Sequence, residues 1–308
     1  MSAQEPAYSH AQRARLQFID FRLFFTGVVR RADLMERFGI AEAAASKDLA
    51  AYRDAVPDAV TYDAAQKAYF ITKAYSRSFI RDVKAVHLFR ALVHGMGDEF
   101  GSAQESLVPC ELPARLHRPN IEIAARVARA IYGGHPLEIN YLSRNTARKR
   151  VIVPFSFAGN GLRWHVRAFD RSKKRFGDFV INRIEDAHVV QAEVAQPHER
   201  KDHDKQWNRI VDLEIVPHPK LQSKRFVEVE HGMENGVLHH EVRSTLAGYI
   251  LRLWNVDCTK DARLRGDDFG HEYQLWLRNP LALYGVEGTE IAPGYVRDPS
   301  SPEPDTKE

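Results

Sequence analysis

The chain has 308 residues, 44% of them hydrophobic and 28% charged, with a formal net charge of +3; it is longer than one core usually organises, and its composition excludes fibrous and largely disordered classes. No run approaches the roughly 20 apolar residues that span a bilayer, and Met-Ser-Ala-Gln-Glu-Pro opens without a cationic segment leading into an apolar one, so a cytoplasmic protein is expected. The cysteines Cys110 and Cys258 lack Cys-x-x-Cys spacing, which argues against a disulfide framework or a zinc site, and both read as ordinary, partly buried thiols.

From Ala11 to Phe25 apolar residues recur at helical spacing, with Leu16, Ile19 and Leu23 on one side, which predicts a core-facing helix ended by Gly27. Arg31–Phe38 predicts a second, short helix, and Gly39-Ile40 the turn after it. A third helix is predicted from about Glu42 to Asp54. It places Ala45, Leu49 and Tyr52 inward and Ala43, Ser46, Lys47, Ala50 and Arg53 outward. Val60-Thr-Tyr62 and Tyr69-Phe-Ile71 read as two strands joined through Asp63–Lys67. Helix, helix, turn, helix and hairpin together describe a winged helix-turn-helix, whose second motif helix fits the DNA major groove while the wing reaches the backbone. Residues 11–81 carry 12 Lys and Arg against 8 Asp and Glu. The candidate DNA contacts are Ser46, Lys47, Arg53 and, on the wing, Lys67; the plain alternative is a solvated face on a small helical domain.

Arg81–His94 and Ile121–Tyr132 predict two further amphipathic helices around a breaker-rich stretch from Gly97 to Pro119, a connector that serves either dimer contacts or packing within its own chain. From Leu137 the period changes to two. Strands are predicted over Leu137–Ser143, from Val151, over Leu162–Phe169 after a Gly159-Asn-Gly161 hairpin, and over Phe176–Ile184, as a small antiparallel barrel or curled sheet. This part is basic, with 11 Lys and Arg against 3 Asp and Glu over residues 135–184. Farther on, strands are predicted at Val211–Val216, Phe226–Glu230, Leu238–Val242 and Tyr273–Leu277, and a helix at Thr245–Trp254. The Pro-, Asp-, Glu- and Ser-rich end from 287 predicts a disordered acidic tail.

The segments Leu137-Glu-Ile-Asn-Tyr-Leu-Ser143, Arg150-Val-Ile-Val-Pro154, Arg163-Trp-His-Val-Arg-Ala-Phe-Asp170 and Phe179-Val-Ile-Asn-Arg-Ile184 resemble the WYL domain, in the branch of bacterial phage-defence regulators of the BrxR and CapW type. Leu213-Glu-Ile-Val-Pro-His-Pro219, Leu251-Arg-Leu-Trp-Asn-Val-Asp257 and Tyr273-Gln-Leu-Trp-Leu-Arg-Asn279 resemble that branch's C-terminal extension. The resemblance covers about residues 11 to 285. It implies a multidomain α+β chain: a winged helix-turn-helix (11–80), a helical connector (81–134), an Sm-like or SH3-like WYL barrel (135–195) and a C-terminal α/β extension (206–286), followed by the acidic tail (287–308). It further implies a homodimeric transcriptional repressor of a phage-defence operon that binds an inverted-repeat operator in duplex DNA and is relieved by an anionic nucleotide or nucleic-acid ligand. The matching ligand-site positions are Ser143, Arg150, His165, Arg167 and Arg183. Here the motif reads Trp164-His165-Val166 in place of Trp-Tyr-Leu, so a titratable imidazole stands where the family has a phenol. Strand alternation sets His165 and Arg167 on one face, read as the pocket side, opposite Trp164 and Val166, read as the core side. The plain alternative for Arg150 and Arg183 is pairing with carboxylates elsewhere in a dimer.

No nucleophile with its base, no paired carboxylates and no P-loop is legible, so catalytic residues, cofactors and metals are all expected to be absent; His198–His203 and His239-His240-Glu241 fit no metal spacing. A second reading from another class is an RNA or single-stranded DNA binder that uses the basic barrel, with Phe155, Phe157 and Phe169 as stacking platforms.

Overall fold

The computed structural model describes residues 8–97, 116–143, 146–265 and 271–297, so Cys110, most of the breaker-rich connector and the far end of the predicted tail lie outside the described residues. The described chain forms two compact units. One takes the chain up to Pro154 together with Ile181–Val194; the other takes Phe155–Val180 and the chain from Ala195. This division cuts through the predicted 135–195 segment.

The first unit opens with α1 (His10–Thr26), capped by the Ser9 hydroxyl, which accepts from the Gln12 N–H, and closed by Gly27 at φ 78°, where a side chain would be strained. After β1 (Val28–Val29), α2 (Arg31–Phe38) starts with the Asp33 carboxylate accepting from the Arg30 N–H at 2.8 Å, and α3 (Glu42–Ala55) follows. Leu16, Ile19, Leu23, Leu34, Ala45, Leu49 and Tyr52 make one buried cluster, so the helical stripe read in the sequence is the core of this part. The wing is β2 (Val60–Asp63) paired antiparallel with β3 (Ala68–Ile71) in the register Tyr62↔Tyr69, and β1 adds to the far side of β3. Two helices follow, α4 (Ala85–His94) and α5 (Ile121–Gly133); the Asn120 side chain caps the second.

One carboxylate ties this unit together. Asp20, fully buried on α1, accepts from the phenols of Tyr52 on α3 and Tyr75 at 2.8 Å each, and from the N–H groups of Ser78, Phe79 and Ile80 at 2.8, 2.8 and 3.1 Å. Burial, reinforced by the Asp20 charge, pushes both phenols far above their usual range, so they stay donors.

Five strands follow: β4 (Leu137–Leu142), β5 (Ala147–Gly159), β6 (Trp164–Asp170), β7 (Arg175–Val180) and β8 (Ile184–Val189). Their hydrogen-bonding order is β7-β6-β5-β4-β8, with β7 and β8 as the two edges, so the sheet is open and the expected barrel is not formed. The predicted strand Phe176–Ile184 is in fact two strands broken by a 3-10 turn at Ile181–Arg183. Beyond the break β8 runs against β4, with a register shift at Asn140/Tyr141.

The second unit continues with a one-turn α6 (Lys205–Asn208), β9 (Ile210–Pro217), α7 (Arg225–Glu230), β10 (Leu238–Arg243), α8 (Ser244–Leu253), β11 (Val256–Asp257) and β12 (Leu275–Leu277). The sheet order is β10-β9-β12-β11, and α8 packs its Ala247 and Leu251 into a core with Leu213, Ile215, Val256 and Leu277. Phe226–Glu230, predicted as a strand, is the helix α7. The first residues of the expected tail are packed: Thr289 and Ala292 are buried, and the Cys258 N–H donates to the Pro293 carbonyl at 2.9 Å. Gly248 makes room for this segment, since a Cβ there would lie 2.5 Å from the Gly288 carbonyl oxygen. The acidic bias of the terminus hid these small residues, which fit the core without needing large apolar area. Among the described residues no helix is long and apolar enough to cross a membrane.

Candidate DNA-facing and ligand-binding residues

The outward face of α3 is built as its spacing predicts. Ala43, Lys47 and Arg53 are exposed, whereas Ser46 and Ala50 are half-buried. The opposite face is fixed by burial of Ala45, Leu49 and Tyr52 and by the buried Asp48, which pairs with Arg15 at 2.5 Å. Holding α3 by its inner face leaves the long cations of Lys47 and Arg53 able to extend. Arg53 sits 3.8 Å from its neighbour Asp54, a loose exposed contact that a phosphate can readily replace. At the wing tip the Gln66 N–H, with the Gln66 side chain and the Ala65 N–H, holds the Asp63 carboxyl below its usual range. That turn carries the exposed Lys67 at φ 49°.

Two features of this face escape sequence reasoning. Arg31, at the start of α2, donates to the Glu42 carboxylate at 2.5 Å and lies 3.5 Å from the Ser46 hydroxyl. Tyr62 stands exposed on the wing with its ring 4.8 Å from that of Tyr69. Strand pairing sets the second contact and the helix-to-helix turn the first, and neither is visible as a local pattern.

The ligand-site positions carried by the WYL resemblance divide between the units. In the first unit, Ser143 closes β4, donating from its hydroxyl to the Thr146 carbonyl at 2.7 Å. Arg183 ends the 3-10 turn just before the pair Tyr141↔Ile184, which puts it at the same end of β4 as Ser143. Arg150 pairs with Ile139, four residues back along β4, or about 13 Å at the usual rise of a strand.

The second unit holds His165 and Arg167. Both are buried, and Trp164, assigned to the core, is the half-exposed member of the motif. The His165 ring packs against Tyr249 with centroids 5.2 Å apart. Arg167 makes a two-point contact to Asp204 at 2.7 and 3.1 Å and stands 3.5 Å from Asp178. Burial lowers the Arg167 pKa, but Asp178 and Asp204 outweigh it and the guanidinium is held charged, while burial pushes the Asp178 carboxyl up against the pull of Arg167. The fork of Arg167 is therefore committed to protein carboxylates. Residues 165 to 170 of β6 are all buried, and the partners that cover His165 and Arg167 are Asp178 on the neighbouring strand and, farther down the chain, Asp204 and Tyr249.

The stacking platforms of the RNA-binding reading fare similarly. Phe169 is buried, and Phe155 packs edge-on against Phe176 and Trp207. On the C-terminal sheet, Asp212, Glu214 and His239 each bring one ligand atom within 4.8 Å of the others, an exposed grouping that the sequence spacing had not suggested; Glu214 is also bound by Arg278 at 2.8 Å. Cys258 is buried, and burial raises its thiol pKa well out of the reactive range.

Three family models match the chain: the BrxR transcriptional regulator winged helix-turn-helix domain over residues 11–92, the WYL domain over 122–189 and the BrxR transcriptional regulator C-terminal dimerization domain over 210–283. Among curated proteins, the DNA-binding transcriptional repressor CapW of Escherichia coli (strain KTE188) is 31% identical over 283 residues, covering 89% of this chain and 91% of that protein. CapW of Pseudomonas aeruginosa is 30% identical over 253 residues, covering 80% and 83%, and CapW of Stenotrophomonas maltophilia is 31% identical over 256 residues, covering 80% and 84%.

Proposed function

This chain belongs to the BrxR and CapW family of WYL-domain transcriptional regulators, and we propose from that premise that it is a homodimeric, sequence-specific repressor of duplex DNA. The observation that carries the reading is α3 itself. Its inner face is locked into a buried cluster, and its outer face offers Ala43, Lys47 and Arg53 to solvent beside a short wing tipped by Lys67. A helix set on its scaffold in this way fits a major groove, and a two-fold dimer would read an inverted repeat. Dimer contacts belong to the C-terminal segment, in keeping with the description of the family model that matches it. The regulated genes are a phage-defence operon, on the strength of the family alone.

Relief of repression comes from an anionic ligand bound near the end of β4, the end at which both Ser143 and Arg183 stand, with Arg150 farther along the strand. An arginine fork suits a phosphate-bearing ligand, and the Ser143 hydroxyl would join it by turning away from the Thr146 carbonyl. Arg167 drops out of the set of direct contacts, and His165 is kept only as a residue that shapes the strand. Fluorescence anisotropy against duplex from upstream of the chain's own gene and against a shuffled control tests the DNA-binding reading. Selective binding, by roughly 10³ or more at physiological salt, is expected, and equal weak binding to both would overturn it. Adding short single-stranded oligonucleotides or nucleotides to the preformed complex tests relief: release in the native protein that is lost in Arg183→Ala is expected.

A further inference from the structure

We propose that Glu42 reads a base, positioned for that task by Arg31, and that it selects an amino-bearing base, cytosine or adenine, at one place in each half-site. The inference rests on the reading of α3 as the DNA-facing helix and names how that helix discriminates.

Glu42 is the first residue of α3, exposed on the same outward side as Ala43 and one turn before Ser46. The other carboxylates of α3 are otherwise engaged: Asp48 turns inward to Arg15, and Asp54 lies in the last turn beside Arg53. A carboxylate presented to a polyanion is repelled unless a cation neutralises it and a donor meets it. Arg31 supplies the cation from α2, with Nη1 at 2.5 Å from the Glu42 carboxylate and 3.5 Å from the Ser46 hydroxyl, so one guanidinium spans the first turn of α3. One bond does not exhaust a carboxylate, which offers about four acceptor sites and no donor. In the major groove, donors are presented by the N4 amino group of cytosine and the N6 amino group of adenine, whereas guanine offers O6 and N7 acceptors and thymine an O4 acceptor and a methyl. Glu42 therefore favours the first pair of bases and penalises the second. Ala43 and Ala50 lack hydrogen-bonding groups, Lys47 and Arg53 suit phosphates and guanine, and the Ser46 hydroxyl, which both donates and accepts, serves either kind of base, so of these residues Glu42 alone accepts without donating. Arg31 acts through Glu42 as a positioning residue. An exposed ion pair of this kind contributes little stability, so neither substitution is expected to unfold the domain.

The test is selection of duplexes from a random-sequence pool by the full-length protein, by Glu42→Ala and by Arg31→Ala, followed by anisotropy on the selected duplex and on versions changed at one base pair. The native protein is expected to select a motif with one cytosine or adenine column that Glu42→Ala erases while the other columns persist. Changing that base pair should cost the native protein on the order of tenfold to a hundredfold in affinity and cost Glu42→Ala almost nothing. Arg31→Ala should blur the same column. A motif left intact by Glu42→Ala overturns the base-reading role, and a uniform loss of affinity in Arg31→Ala with the column intact overturns the positioning role. A native protein that selects no motif overturns the DNA-binding reading itself, and this inference with it.

Discussion

Arg167 holds the Asp204 carboxylate through two N–H···O bonds, from Nε at 2.7 Å and Nη2 at 3.1 Å, with both residues almost wholly out of water. Asp204 in turn accepts from the Trp207 N–H at 3.0 Å and so caps α6. The pair joins the motif strand β6 to the start of the C-terminal part of its own unit, a structural task that a ligand contact would compete with.

Arg167→Ala is accordingly expected to cost about 3–5 kcal/mol, because it strands buried carboxylates without their cation. Arg167→Met, which retains bulk but not charge, should still destabilise. Urea unfolding followed by circular dichroism reads both. A loss below about 1 kcal/mol in Arg167→Ala, with ligand release abolished, would return the residue to the binding site.

The Asp20 hub predicts a second hierarchy. Asp20→Ala leaves two phenols and three N–H groups without their common acceptor, and should cost more than about 3 kcal/mol. Tyr52→Phe removes one donor to a charged acceptor and should cost about 1.5–3 kcal/mol. Since Tyr52 lies on the inner face of α3, its loss should weaken DNA binding only as far as it loosens the helix. Thermal melts beside anisotropy separate the two effects, and an Asp20→Ala protein as stable as the native one would contradict the hub.

His218 predicts a dependence on pH. It is fully buried, and burial lowers its pKa below the ordinary 6.5 although Asp257, 3.1 Å from Nε2, pulls upward. The Lys220 N–H donates to Nδ1, which is possible only while that nitrogen is unprotonated. The unfolded chain thus binds the proton more readily than the folded one. The stability contributed by His218 is whole above its unfolded pKa of about 6.5 and is lost as pH falls below it toward the lowered folded value. Melting temperatures measured between about pH 7.5 and 5.5 should fall more steeply in the native protein than in His218→Gln; parallel curves would contradict the assignment.

Much of the fold was legible because it is written locally. Leu16, Ile19, Leu23, Leu34, Ala45, Leu49 and Tyr52 keep helical spacing, and their burial sets the outward face that carries Lys47 and Arg53. Phe226-Val-Glu-Val-Glu230 alternates like a strand, yet it folds as α7 with Val227 buried and Phe226 and Val229 exposed; alternation over so few residues cannot outweigh tertiary context. β8 was merged with β7 because the break at Ile181–Arg183 contains no glycine or proline to mark it. On β6 the period placed His165 and Arg167 together, but only the fold supplies Tyr249, Asp178 and Asp204, which turn that face from a pocket into packed interior.

The most direct test of α3 as the reading element is the affinity of Lys47→Ala/Arg53→Ala for the duplex that the native protein selects, measured from about 50 to 200 mM salt. With the melting temperature unchanged, binding should weaken at least tenfold and the slope of log K against log salt should fall by about 0.9 for each phosphate contact removed. A doubly substituted protein that binds the same duplex with native affinity and native salt slope would contradict the account, because it would show that DNA lies elsewhere on the molecule.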